Sequence, residues 1–258
     1  MSETPEPERL QSVARAMQLL EVIAEDGEMG VSDLARRLGV HKATASRLAS
    51  TLASRGLIER DRATGRYRLG FGLIRLAGAV MANLDLVRVA RPILEDLAHE
   101  THETVNLGVL AGDSVVYVDQ LSGARSVVSV SWVGRRTPLH CTSNGKVLLA
   151  YMPAPERRRL LARELESLTP RTIVDPAQLD AELEDVRQRG YAKTLEELEE
   201  GLNAVAAPVR QADGSVAAAL SVSGPAFRMT ARDLARIGQI TARSASEVSR
   251  RLGHRSPS

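Results

Sequence analysis

Three scarcities bound what this 258-residue chain can be. It has a single cysteine, Cys141, which excludes an intrachain disulfide and a cysteine-based zinc site and suits a reducing compartment. Aromatic residues make up 3% of it against 43% hydrophobic residues in all, so the core has to be built from leucine, valine, isoleucine and alanine. No apolar run approaches the roughly 18 residues of a membrane-spanning helix. Met1 to Arg9 is acidic and proline-bearing, unlike a secretory leader, and disorder is expected over Met1 to Glu8. A cytoplasmic protein without a membrane partner follows as the expectation. Catalytic signatures are missing too: there are five histidines and no H-E-x-x-H, phosphate-binding glycine loop or G-x-S-x-G.

What is present centres on Ser32 to Leu69. Ser32 reads as an N-cap with Asp33 in the first turn, and Leu34, Ala35 and Leu38 fall at helical spacing. Gly39 closes that helix. A second helix fits His41 to Ser54, apolar at Ala45, Leu48, Ala49 and Leu52 and polar at Lys42, Thr44, Arg47 and Thr51. Two short helices joined by a glycine turn form a helix-turn-helix, whose second helix enters the DNA major groove. Leu57 to Arg60 and Arg66 to Leu69 read as strands around Ala63-Thr64-Gly65, a hairpin wing with Arg62 and Arg66 at its tip. Between Arg36 and Arg75 ten basic residues face only Glu59 and Asp61, a local +8. The whole chain carries +2, so the remainder carries −6. A basic patch on a near-neutral chain marks a phosphate-binding surface. Ser32, His41, Lys42, Ala43, Thr44, Arg47, Arg62 and Arg66 are the candidate contacts to double-stranded DNA.

The segments A-M-Q-L-L-E-V-I-A, L-A-R-R-L-G-V, K-A-T-A-S-R-L and G-R-Y-R-L-G between Arg15 and Gly70 resemble the IclR family of bacterial transcriptional regulators, and the resemblance runs on to the C-terminal helix. It implies an α+β protein: a winged helix-turn-helix domain (9–70), a linker helix (71–84) and a GAF-like α/β effector-binding domain (85–253). Where the family often has proline before its recognition-helix lysine, this chain has His41.

Along the rest of the chain, Ser12 to Ala24 is amphipathic, with Val13, Met17, Leu20 and Ile23 on one face. Phe71 to Asn83 is apolar at helical spacing with Arg75 as its one charge, so Phe71, Leu73, Leu76, Ala77 and Val80 are expected at a contact with a second copy. A homodimer or a dimer of dimers follows. Asp85 to His102 is a helix that Pro92 should kink or divide. The period then turns to two: Thr104–Leu110, Ser114–Gln120 and Val127–Val133 read as strands, and so do Tyr191–Leu195, Ala204–Val209 and Val216–Val222. Helices fit Asn144–Met152, Pro155–Glu166, Leu179–Arg189 and Ala231–Leu252.

Three stretches could line a pocket. Small polar residues open the helix at Ser143-Asn144-Gly145, which offers backbone N–H groups to an anion or simply N-caps through Thr142 or Ser143. Ser221 and Ser223 share one face of a strand, turned either inward or to solvent. Glu196, Glu197, Glu199 and Glu200 read as a solvated run between Thr194 and Ala204. The resemblance implies that all three converge. In members that bind small carboxylates, the positions matching Ser143-Asn144, Ser221 and Ser223 hold the ligand together with an acidic residue and a cysteine, which here are Thr194 and Ala204. Those replacements favour an otherwise apolar cavity and an organic acid with a sizeable apolar body.

The function so read is a ligand-responsive regulator, a repressor of catabolic genes, that binds a palindromic operator. No cofactor, metal or catalytic residue is expected. An architectural DNA binder is an alternative that the large second domain argues against. A Cys141-dependent hydrolase is another, opposed by adjacent His140 and Cys141 pointing to opposite strand faces.

Overall fold

The computed structural model describes residues 11–76, 85–123 and 131–255. The chain divides into two compact units between Leu84 and Asp85.

In the first unit, helices α1 (Gln11–Asp26), α2 (Val31–Arg37) and α3 (Lys42–Ser54) pack with the hairpin β1 (Ile58–Arg60) and β2 (Tyr67–Leu69). Leu19, Leu20 and Ile23 from α1, Leu34 from α2, Ala49 and Leu52 from α3, and Ile58 and Tyr67 from the hairpin form one core. Two N-terminal expectations are corrected. Val13 and Met17 stay more than half exposed, and Leu19 and Val22 are buried in their place. Helix α2 starts two residues early, with Gly30 as its N-cap, which puts Ser32 inside the helix and exposed. Gly39 and Gly65 take the left-handed backbone that closes α2 and the wing turn. Asp61 fixes that turn by accepting from the N–H groups of Ala63 and Thr64, at 2.8 and 2.7 Å. These bonds hold its carboxyl below the ordinary carboxylate range. Residues 72–76 are helical. Leu73 turns into the core of this unit, contrary to the expected intersubunit role, while Phe71 and Leu76 are exposed at 74% and 49%. Ala77 and Val80 lie outside the described residues.

The second unit is a six-stranded antiparallel sheet in the order β5-β4-β3-β8-β7-β6. Its strands are β3 (Thr104–Ala111), β4 (Ser114–Leu121), β5 (Arg136–Pro138), β6 (Ala192–Leu195), β7 (Leu202–Arg210) and β8 (Val216–Pro225). Helices α4 (Asp85–Thr101) and α8 (Ala231–Arg251) cover one face. Helices α5 (Ser143–Tyr151) and α7 (Pro176–Arg189) cover the other, and the short α6 (Ala154–Leu161) follows α5. The two-residue period sorts the side chains: Leu220 and Val222 of β8 meet α4 and α8, while Ala219 and Ser221, alternating with them, face the other way. Ala192, Ala206 and Ala219 are small, so α5 settles close on the sheet and is buried on every side from Ser143 to Ala150.

Helix α4 runs through Pro92 undivided. Pro92 lies on its exposed side, where the carbonyl freed one turn back reaches water. The expected strand ending at Val133 is replaced by β5 at Arg136–Pro138, with Val133 making a single bridge to Tyr117. Residues 127–130 of that expectation lie outside the described residues.

Candidate functional site

On α3, Lys42, Ala43 and Arg47 are exposed, His41 occupies the N-cap position, and Thr44 is half-buried. Exposed Ser46 and Ser50 share that surface and were not singled out by sequence reasoning, because serine carries no charge signal. The positive charge around the helix is partly spent. Arg36 pairs with Asp33 at 2.7 Å, Arg37 with Asp26 at 2.9 Å, and Arg68 with Glu59 at 3.2 Å. Among the described residues Lys42, Arg47, Arg55 and Arg62 have no carboxylate partner within ion-pair distance. Arg62 projects from the wing turn. Arg66, exposed on the wing, also has a structural job: its guanidinium donates to the Glu28 carbonyl at 2.8 and 3.1 Å, tying the wing to the loop before α2.

In the second unit the sheet face toward α5 holds a cavity of about 510 Å³, within the size range of small-molecule sites. Register builds its wall. Thr194, Ala204, Ser223 and Thr104 pair in turn across β6, β7, β8 and β3, so they form one rung. The next rung carries Ser221, Asn106 and Gln120. Directly opposed residues share a face, and all seven line the cavity.

The start of α5 closes one side. Thr142 is its N-cap and accepts from the Gly145 N–H at 3.1 Å, and its carbonyl accepts from the Lys146 N–H at 2.9 Å. The first-turn N–H groups of Ser143 and Asn144 have no acceptor one turn back, and both residues line the cavity. Asn144 spends its side-chain amide on the Ala219 carbonyl at 2.7 Å, which pins the helix start to the sheet. Gly145 does not line the cavity. Its Cα lies against the Leu139 backbone, where a Cβ would overlap the Leu139 carbonyl, so only glycine permits that approach.

The wall is more polar than the sequence reading expected. Asn106, Gln120, Thr104, Thr142, Arg135 and Arg228 take part in it, and the apolar share falls to Tyr117, Trp132, Leu198, Leu202, Ala204 and Pro225. Ser221 donates to the Asn106 backbone carbonyl at 3.4 Å, and the Asn106 amide donates to Ser223 Oγ at 3.3 Å. Arg228 makes two bonds to Glu103, at 2.7 and 2.9 Å. Trp132 meets Tyr117 edge to face at 5.9 Å, and the Arg135 guanidinium lies 5.4 Å over the Trp132 ring.

The acidic run is not uniformly solvated. Glu197 is buried and takes a bond of 2.6 Å from Lys146 of α5, with the two side chains 8% and 1% exposed. Burial pushes the Glu197 carboxyl up and Lys146 opposes that. Glu199 and Glu200 are exposed on the turn that follows and reach the cavity. Cys141 is buried with its thiol pushed up to about 12, mainly by burial. His140 Nε2 bonds the Glu166 carbonyl at 2.9 Å.

Two family models match the chain: the IclR helix-turn-helix domain over residues 12–62 and the bacterial transcriptional regulator IclR C-terminal domain over 78–250. The HTH-type transcriptional regulator XynR of Escherichia coli is 34% identical over 247 residues, covering 95% of this chain and 98% of that protein. The crystal structure of the Thermotoga maritima IclR aligns with a TM-score of 0.81 at 31% identity, over 95% of this chain and 100% of that one. An IclR homologue from Microbacterium hydrocarbonoxydans, complexed with 4-hydroxybenzoate, aligns with a TM-score of 0.83 at 29% identity over 94% of this chain and 98% of that one.

Proposed function

Since the chain belongs to the IclR family of bacterial transcriptional regulators, we propose that it reads a palindromic operator through α3 and the wing and answers to a small organic acid held in the second unit. The observation that carries the reading is the pairing of two features in one chain. One is a recognition helix with exposed Lys42 and Arg47 that have no carboxylate partner among the described residues. The other is a cavity lined by buried polar groups and the open first turn of α5. Backbone N–H groups at a helix start suit a carboxylate. The bound 4-hydroxybenzoate of the Microbacterium homologue supports an acid as the ligand class here. The raised Cys141 thiol and the engaged His140 weigh against the alternative of a Cys141-dependent hydrolase, since the thiolate is the nucleophile. Repression of catabolic genes remains the expected output.

Arg47→Ala tests the DNA half. A bidentate base contact is worth about 1–3 kcal/mol of discrimination, so the variant should lose both affinity and preference at one base pair of each half-site. Fluorescence anisotropy against operator and scrambled duplexes measures it, and an unchanged ratio would remove α3 from the major groove.

Phe71 and Leu76, with Ile74 at 65%, are exposed apolar side chains, and their exposure supports an intersubunit seam at the linker segment. Leu76→Glu puts an unpaired charge into such a seam, which is costly. Light scattering should then report a smaller species, with weaker binding to a two-half-site duplex. A variant of wild-type mass would assign this surface to its own subunit.

A further inference from the structure

Resting on the reading of the cavity as an effector site, we propose that Asn106 and Arg135 select its occupant: a hydroxy acid whose hydroxyl donates to the Asn106 side-chain oxygen and whose carboxylate lies against Arg135. Asn106 is 4% exposed and lines the cavity. Its Nδ2 donates to Ser223, while its Oδ1 has no hydrogen-bond partner among the described residues and is closed off from the cavity as the side chain stands, so a turn of the amide about the Cβ–Cγ bond brings the oxygen to an occupant. A buried carbonyl oxygen left unpaired carries its full desolvation penalty, and only a donor relieves it. An ionised carboxylate has no proton to give, so the acid group of an effector belongs elsewhere in the cavity, and a hydroxyl belongs beside Asn106.

Among the described residues two cations line the wall. Arg228 is bound by both oxygens of Glu103. Arg135 has no carboxylate within ion-pair distance among the described residues, and its guanidinium is held over Trp132. A guanidinium stacked on a ring keeps its N–H edge available for two-point binding of a carboxylate. Trp132 is itself anchored, its backbone N–H donating to Gln120 Oε1 at 2.7 Å and its ring set against Tyr117. Glu199 and Glu200 also reach this cavity, but both are exposed, where salt and water screen their repulsion.

The separation of the two anchors sets the shape of the ligand. Arg135 directly precedes edge strand β5, its carbonyl accepting from the Tyr117 N–H of β4 at 3.4 Å, and Asn106 is on β3. Arg135 stands opposite Tyr117 of β4 and Asn106 opposite Gln120, so two strand spacings across the sheet and three residues along it put the backbones on the order of 14 Å apart, a gap that the long Arg135 side chain partly spans. The hydroxyl therefore stands several bonds from the carboxylate, as in 6-hydroxyhexanoate or 4-hydroxybenzoate, and not on the adjacent carbon.

Calorimetry on the full chain with matched compounds tests this: 4-hydroxybenzoate against benzoate and methyl 4-hydroxybenzoate, and 6-hydroxyhexanoate against hexanoate, lactate and methyl 6-hydroxyhexanoate. In at least one series the ω-hydroxy acid should bind about tenfold or more tighter than its deoxy partner. Arg135→Gln, at an exposed position, should weaken that acid about tenfold while preserving the hydroxyl preference. Asn106→Leu should abolish the hydroxyl preference, and melting curves establish that it is folded; if it is not, the wild-type series decides. Equal binding of hydroxy and deoxy acids, unaltered binding by Arg135→Gln, or tighter binding of an ester would overturn the assignment of the anchors. Failure of every acid would overturn the organic-acid reading itself.

Discussion

Lys146→Met should destabilise the protein by about 3–5 kcal/mol, the usual penalty when one partner of a buried ion pair is removed. For a domain of this size that amounts to roughly 6–20 °C in melting temperature. Lys146 and Glu197 are both buried, and Glu197 Oε2 has no hydrogen-bond partner among the described residues. Taking Lys146 away strands a carboxylate against α5. Burial already pushes the Glu197 carboxyl up against the pull of Lys146, so in the variant it rises further and Glu197 folds best protonated. A group raised in the folded state contributes fully below its unfolded value, near 4.3 for glutamate, and that contribution is lost as pH rises through the folded value. The deficit against wild type should therefore narrow toward acid and widen toward neutral pH. Replacing both partners, Lys146→Met with Glu197→Leu, should restore most of the stability, because no charge is left buried. Thermal unfolding by circular dichroism from pH 4 to pH 8 checks all three points. A single variant that melts within 2 °C of wild type at neutral pH, by the order of magnitude above, would show that the pair is not buried as described.

Ser221→Leu should abolish the effector response while leaving operator affinity intact. Ser221 is 2% exposed and stands in the cavity wall between Asn106 on β3 and Ala206 on β7. Leucine there fills part of the space an effector would occupy and removes the hydroxyl that donates to the Asn106 carbonyl. The recognition helix belongs to the other compact unit, with a core of its own, so DNA binding does not depend on this side chain. Overpacking costs typically 1–3 kcal/mol, which the variant survives if its melting curve stays cooperative. The measurement is anisotropy of labelled operator with and without the acid selected by calorimetry. A response equal to wild type would move the effector site elsewhere.

How much of this was legible in the sequence depended on whether the signal was local. The helix-turn-helix could be read from Leu34, Leu38, Ala45, Ala49 and Leu52, since those positions, spaced by the helix period, are buried. Ser221 and Ser223 could be placed on one face because the strand period is two, and the register then brings them to Thr104 and Asn106. What failed was tertiary. Asn106 is one polar residue inside T-V-N-L-G-V-L, and nothing nearby says that it faces a cavity. Glu197 sits in an acidic run that looks solvated until Lys146, 51 residues away, comes to meet it. Arg66 looks like any wing arginine until its guanidinium finds a carbonyl 38 residues back. Strand β5 is three residues long and ends in proline, too short to show a period, so Arg135 and Trp132 beside it escaped notice.

The central claim is that one chain couples a sequence-specific DNA site to a small-acid site, and one titration addresses both. The full chain is used to select duplexes from a random-sequence pool, and the enriched duplex is titrated against scrambled DNA at fixed salt, alone and with the acid that calorimetry selects. The account predicts an inverted repeat with half-sites about one helical turn apart or a multiple of it, bound at least about a thousandfold more tightly than scrambled DNA. It also predicts a shift in DNA affinity on adding the acid, matched by an equal shift in acid affinity on adding DNA, as linkage requires. Enrichment of no sequence, or an acid that fills the cavity and leaves DNA affinity unmoved, would contradict it.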